Sequence, residues 1–136
     1  MDDLIAYKHN LSSSDKIMLP GRVSNMNDWY GIADIFVLTS KFEGYPNALI
    51  EAMAYGVPCV SYDCESGPGQ IIDHGINGIL VENQNAVKMK ESLWFLMQKD
   101  EERKRLAEEA RLIRGKLSLP TIGQKWINLF NRTMSK

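Results

Sequence analysis

Short hydrophobic runs closed by turn residues alternate along the chain with stretches whose apolar positions recur at helical spacing. That alternation predicts βαβ units and a parallel sheet. Ile17-Met18-Leu19 closes at Pro20-Gly21 and reads as a short strand. Residues 27–33 read as a short helix with Asn25 at its N-cap. Residues 35–38 (Ile-Phe-Val-Leu) are the continuous β-rich run of a strand buried on both faces. A helix pattern over 47–55 is stopped by Gly56, and strands follow at 59–62 and, after the turn Asn77-Gly78, at 79–81. Over 86–98, Val87, Leu93, Trp94 and Met97 mark a helix with one buried stripe. Acids and bases then alternate over 101–114 around Leu106, Ala107, Ala110 and Ile113, a solvated face carrying i,i+4 pairs. A last amphipathic stretch follows Pro120, anchored by Ile122, Trp126, Ile127 and Phe130. The expectation is an α/β fold in one domain over 1–136, with strand and helix alternating to 81 and a helical tail over 82–136.

Composition narrows the class. The 136 residues allow one domain with a core, and 44% hydrophobic against 24% charged residues excludes a disordered or low-complexity chain. Sixteen basic against seventeen acidic residues leave a net charge of −1, so bulk attraction to nucleic acid is excluded. No apolar run approaches the roughly 18–20 residues that span a bilayer. Met1-Asp2-Asp3 lacks the basic-then-apolar layout of a signal peptide. Cys59 and Cys64 form no Cys-x-x-Cys pair, and His9 and His74 lie far from ligand spacing. No metal site is expected, and the thiols fit small side chains in a reducing, cytoplasmic compartment.

Chemistry concentrates in Ser40-Lys41-Phe42-Glu43-Gly44-Tyr45-Pro46-Asn47-Ala48-Leu49-Ile50-Glu51, which follows a strand and opens a helix. In open α/β sheets, ligands bind at the carboxyl ends of strands. Gly44 lets a backbone approach a ligand, and Pro46 suits the first helical turn. The N–H groups from Asn47 to Leu49 would leave an anion site at the helix start, worth about 0.3–2 kcal/mol for a phosphate. Glu51 is the odd residue of a helix apolar nearly all round (Ala48, Leu49, Ile50, Ala52, Met53, Ala54), which implies burial. A buried carboxylate needs partners. Ligand hydroxyls and protein groups (backbone N–H, a neighbouring Arg) are equally open to it. Glu43, by residue chemistry alone, reads as an exposed loop residue. Gly67-Pro68-Gly69 also follows a strand, but Ile72 stands where a dinucleotide fingerprint needs its third glycine, so a turn before a short helix over 70–73 is expected.

The stretch Glu43-Gly44-Tyr45-Pro46-Asn47-Ala48-Leu49-Ile50-Glu51-Ala52-Met53-Ala54-Tyr55-Gly56-Val57-Pro58 resembles the donor-binding signature of retaining glycosyltransferases of family 4, which have the GT-B fold. Pro20-Gly21-Arg22-Val23, residues 33–40, residues 56–60 and Gly75-Ile76-Asn77-Gly78-Ile79-Leu80-Val81 resemble flanking family segments. The likeness is close over 16–81 and holds in kind only for the tail. It implies a partial Rossmann-like parallel sheet, the carboxyl-terminal half of the GT-B architecture, flanked by helices. It implies that Glu43 lies beside the transferred sugar as the catalytic-site carboxylate. Glu51 accepts hydrogen bonds from the ribose hydroxyls of a nucleotide. Backbone N–H groups at Gly44, Tyr45 and Asn47 face the sugar and diphosphate, with Pro46 and Ala48 completing the turn, and the base lies near Arg22 and Val23. It further implies no cofactor and no metal, a nucleotide-sugar donor of the UDP class as substrate, and a glycan or lipid-linked acceptor. Residues 63–68 (Asp-Cys-Glu-Ser-Gly-Pro) resemble a variant of relatives acting on UDP-activated amino sugars or galactose-type sugars.

Members of that family are usually more than twice this long. The acceptor half has no counterpart here, nor have the first two donor-half strands, which carry an Arg and a Lys that neutralise the diphosphate. In the family's strand order those strands separate 17–19 from 35–38, so the expectation is a truncated sheet with exposed edges, or a chain needing the missing portion as a partner. Three functions are compatible: a retaining sugar transferase acting in the cytoplasm or peripherally at the inner membrane face, a nucleotide-sugar-binding remnant without turnover, and a UDP-sugar epimerase fragment.

Overall fold

The structure, a computed structural model, describes residues 2–134. Its elements in chain order are α1 (Asp2–His9), α2 (Met26–Ile32), β1 (Phe36–Leu38), α3 (Asn47–Tyr55), β2 (Cys59–Asp63), α4 (Pro68–Ile71), β3 (Ile79–Glu82), α5 (Ala86–Gln98), α6 (Asp100–Arg111), α7 (Ile113–Lys116) and α8 (Leu119–Met134). The strands pair in the order β1-β2-β3, all parallel, with Val37 opposite Val60 and Ser61 opposite Leu80. This is the expected α/β class, a parallel sheet between layers of helices with a helical carboxyl-terminal tail.

The two-residue period of the strands sorts their side chains into two cores. Cys59 of β2 joins Leu49, Ala52 and Met53 of α3, with Ala110 and Ile113 behind them and Phe36, Leu38 and Leu80 at the margin. Val60 and Tyr62 face the other way, onto Val81, Met89 and Leu96 of α5, and Leu106 of α6. Helix α6 therefore serves both cores, Leu106 on one side and Ala110 on the other, and both are fully buried. Full burial of a leucine of this kind is worth about 1.5–3 kcal/mol. The turn between α5 and α6 is clasped by Arg103, which donates to the carbonyls of Leu96 (2.5 Å) and Met97 (3.2 Å) and pairs with Asp100 at 3.0 Å. The charge run lies on the outer face of α6 as expected, with Lys104–Asp100 at 2.7 Å as an i,i+4 pair and Arg105–Glu102 at 2.6 Å as an i,i+3 pair. Arg105 does more than pair: it also donates to the Gly75 carbonyl at 2.7 Å and pins the turn before β3.

Helix α3 stops where its sequence says it should. Gly56 takes the left-handed φ of +77°, and its N–H closes onto the last carbonyls of the helix. Both cysteines are buried and unpaired with each other, and Asn77, also buried, holds the turn before β3 through Asp73 N–H (2.8 Å) and the Ile71 carbonyl (3.2 Å).

Five expectations need correction. Residues 17–19 form no strand; Met18 is 70% exposed and Leu19 37%, because a strand is a pairing and no free sheet edge runs beside them. The run 35–38 is not buried on both faces: β1 is the sheet's edge, with β2 as its single neighbour, and Val37 is half open to solvent. The short helix expected over 70–73 starts earlier, at Pro68, whose fixed φ suits the first helical position. Asn25 occupies the N-cap of α2, but its side chain donates to Asp28 (2.7 Å) and accepts nothing from the backbone. The tail forms the amphipathic helix α8 without burying its anchors: Trp126, Ile127 and Phe130 are exposed, two of them stacked on each other with ring centroids 5.8 Å apart.

The edge position of β1 has a measurable signature. Phe36 N–H donates to the Pro58 carbonyl at 2.9 Å, so the alternation of a parallel ladder turns the Val37 N–H outward. Amide hydrogen exchange read by NMR should show Val37 exchanging at least about tenfold faster than Val60 and Ser61. Equal protection of the three amides would contradict an open edge there.

Candidate functional site

The polypeptide leaves the carboxyl ends of β1 and β2 by two loops on the same end of the sheet, and these loops are fastened together. Ser66 of the second loop donates its hydroxyl to the Glu43 carbonyl of the first. Gly67 has φ +89°, and a Cβ placed on it would stand 2.5 Å from the Gly44 carbonyl oxygen and 2.8 Å from Pro46 Cδ. Glycine is thus required there twice over, by conformation and by close approach. From the end of β3, Asn83 reaches the Lys41 carbonyl at 3.4 Å. The turn at 43–46 is thus fastened to the loop after β2, and the segment leading into it to the end of β3.

Pro46 occupies the N-cap of α3 rather than its first turn, and its carbonyl accepts from the N–H groups of Leu49 (3.1 Å) and Ile50 (3.2 Å). This corrects the expected set of free donors, because the Leu49 N–H is already used. The N–H groups of Gly44, Tyr45, Asn47 and Ala48 donate to no protein group among the described residues, and no side chain caps the helix. Those unpaired donors stand at the positive end of a helix of nine residues. At Gly44 an added Cβ would meet nothing within 4 Å, so the protein itself does not demand a glycine there; the space in front of it is open.

Helix α3 turns out to be one-sided. It buries Leu49, Ala52 and Met53, while Ala48, Glu51 and Tyr55 face outward. Alanine fits either environment, which is why the run of alanines read as apolar all round; the expected burial of Glu51 is not what the structure shows. Glu51 Oε2 accepts a hydrogen bond of 3.2 Å from the Tyr30 hydroxyl, which also lies 3.3 Å from the Ala48 carbonyl. Glu51 Oε1 has no protein partner among the described residues. Tyr30, on α2, is buried, with its ring centroid 5.5 Å from that of Tyr55 and 6.2 Å from that of Phe36. Burial, with the Glu51 carboxylate beside it, pushes its phenol up to about 12, so it stays a neutral donor through the physiological range.

Glu43 is half-buried and its side chain makes no hydrogen bond among the described residues; Gly44, Tyr45, Asn47 and Ala48 are exposed and Pro46 is buried. Arg22 and Val23 lie in the irregular segment before α2, and no hydrogen bond or ion pair joins either to the 43–46 turn. A recess of ≈ 350 Å³ bounded by Gln70, Asp73, Lys116 and Lys125 reaches that turn through Tyr45 alone. Sequence reasoning missed Tyr30, Ser66 and Gly67. Ser66 and Gly67 lie in the segment 63–68 singled out by its resemblance, though not for this contact, and Gly67 is also a glycine before proline at a strand end; nothing local connects Tyr30 to a residue on another helix.

The model of the family described as glycosyl transferases group 1 matches residues 2–113. The chain belongs to the group 1 glycosyl transferases. Among its relatives, an uncharacterized glycosyltransferase of Haemophilus influenzae is 30% identical over 116 residues, 85% of this chain and 33% of that protein. The lipopolysaccharide 1,6-galactosyltransferase of Escherichia coli is 38% identical over 88 residues, 52% of this chain and 24% of that protein. The crystal structure of a mutant of Staphylococcus aureus TarM in complex with Fondaparinux, alpha-GlcNAc-glycerol and UDP superposes with a TM-score of 0.87 at 29% identity, over 96% of this chain and 27% of that one. The group 1 chain described here thus spans between about a quarter and a third of the length of these relatives, and its fold is that of part of a GT-B glycosyltransferase.

The contrast between two glycines tests how the site is built. Gly67→Ala should lower stability by at least about 2 kcal/mol in urea unfolding, since both backbone strain and a backbone clash oppose it. Gly44→Ala should change stability by no more than about 0.5 kcal/mol. Equal effects would mean that the two loops are not packed as described.

Proposed function

We propose that this chain is the nucleotide-sugar-binding part of a retaining glycosyltransferase of family 4, a single donor-binding domain. It would serve transfer of a hexose or N-acetylhexosamine from a UDP-sugar to a glycan or lipid-linked acceptor. The observation that carries the reading is the pairing, at one helix start, of unpaired N–H groups with an outward-facing carboxylate one turn further along. The N–H groups of Gly44, Tyr45, Asn47 and Ala48 receive the diphosphate, whose charge grows as it departs. Pro46 shapes the turn. Glu51 accepts from the ribose hydroxyls, and charge-assisted bonds of this kind are the stronger class. Glu43 lies beside the sugar and orients it, and Arg22 and Val23 border the base. The acceptor hydroxyl attacks from the face that the diphosphate leaves, which retains configuration. UDP stands in the complex of the TarM relative, and lipopolysaccharide and 1,6-galactosyl transfer in the name of the E. coli relative. Both support the donor class without extending to the choice of sugar.

No described helix is long and apolar enough to cross a membrane. A cytoplasmic placement, with peripheral docking at the inner membrane face, remains part of the proposal.

A second reading is nucleotide-sugar binding without turnover, favoured by one feature: no lysine or arginine side chain among the described residues bonds to the turn at 43–46. Calorimetric titration with UDP and GDP, alongside a donor-hydrolysis assay, separates the two. Binding of UDP with hydrolysis supports the transferase reading, and binding alone supports the second. Glu51→Gln should weaken UDP binding by about tenfold or more, the equivalent of one hydrogen bond to a charged group. Unchanged affinity in that variant would remove Glu51 from the site.

A further inference from the structure

Glu51 is exposed yet not free. An exposed glutamate on a helix ordinarily samples several rotamers, and fixing it on a ligand costs side-chain entropy. Among the described residues no lysine or arginine pairs with it, and the one group that holds it is the Tyr30 hydroxyl at 3.2 Å. That hydroxyl is itself immobile. Its ring is 5% exposed and wedged between Tyr55, on the same helix as Glu51, and Phe36, on β1. The hydroxyl also lies 3.3 Å from the Ala48 carbonyl, so its single proton is shared between two acceptors of the first turns of α3. A carboxylate offers roughly four lone-pair positions, and Tyr30 takes one of them on Oε2.

We propose that Tyr30 is a positioning residue that presets the Glu51 carboxylate to accept the two vicinal hydroxyls of a ribose. The inference rests on the reading of Glu51 given above and adds to it the means by which that residue is aimed. Tyr30 touches no ligand itself. It reduces the freedom that Glu51 loses on binding, which is how preorganisation raises affinity. Its neutral phenol, kept protonated by burial, donates to Glu51 Oε2. The effect is confined to the hydroxyl end of the nucleoside, so it should vanish for a ligand without those hydroxyls.

The test is calorimetric titration of the chain and of Tyr30→Phe with UDP and with 2′,3′-dideoxy-UDP, with thermal melting as a check on folding. The unaltered chain should prefer UDP. Tyr30→Phe keeps the ring contacts and removes one oxygen, and should lose about three- to tenfold in UDP affinity, the effect of one hydrogen bond. Its affinity for dideoxy-UDP should be unchanged. Equal losses on both nucleotides, or no loss on UDP, would overturn the proposal. Glu51→Gln separates the two levels: if it loses the preference for UDP while Tyr30→Phe keeps it, the positioning role falls and the Glu51 reading stands. If the unaltered chain shows no preference for UDP, both fall. A measurement independent of any variant is the set of three-bond couplings of Glu51, which should report one χ1 rotamer; averaged couplings would count against the proposal.

Discussion

Strand β2 is the constraint from which the rest of the structure follows. It has a strand on either side and helices over both faces, and Cys59, Val60 and Ser61 are wholly buried. A strand enclosed in this way must satisfy every polar group internally, since an unpaired buried group costs several kcal/mol at most and about one at least. The ladders to β1 and β3 meet that demand for the backbone, and Ser61 meets it for the side chain by donating to the Tyr62 carbonyl at 2.9 Å. Cys59 directs its thiol at the Val57 carbonyl, and burial pushes its ionisation far up, which makes it a packing group rather than a nucleophile. Once β2 is fixed, the loops at its carboxyl end and at that of β1 have only one place to meet.

That meeting place divides its labour between backbone and side chain. Donors come from the chain itself, at a turn whose amides have no internal use; the acceptor comes from Glu51, which the helix lifts out of the core. Under the proposed function this division suits a ligand with phosphates at one end and hydroxyls at the other. The recess near Lys116 and Lys125 lies to the side of this arrangement and shares only Tyr45 with it.

Much of this was legible in the residues. The helix pattern from Asn47 to Tyr55, its stop at Gly56 and the bounds of the helix Ala86–Gln98 fall where the local pattern places them; the stripe that α5 buries, however, is Met89 and Leu96, while Val87, Trp94 and Met97, expected inside, are exposed. Residues 17–19 show the opposite case: their apolar character is real, but a strand exists only with a neighbour, and no local pattern supplies one. Glu51 shows a subtler one. Its alanine neighbours give no direction to the helix, so only the packing of Leu49 and Met53 reveals which side faces in. The amphipathic character of α8 was readable, whereas its exposure was not, since amphipathicity says which side is apolar and never what covers it. The Tyr30–Glu51 contact joins two helices across the fold, and such a pairing leaves no trace in local spacing.

The hydrogen on Gly67 lies where any side chain would strike the Gly44 carbonyl, and the Ser66 hydroxyl is bonded to the residue beside it. The mechanical consequence is that the two loops form a single stiff plate. A lid that swings on its own hinge cannot be built from either one. Any gating of this end of the sheet has to be done by something that travels toward the plate, with the plate itself serving as the anvil.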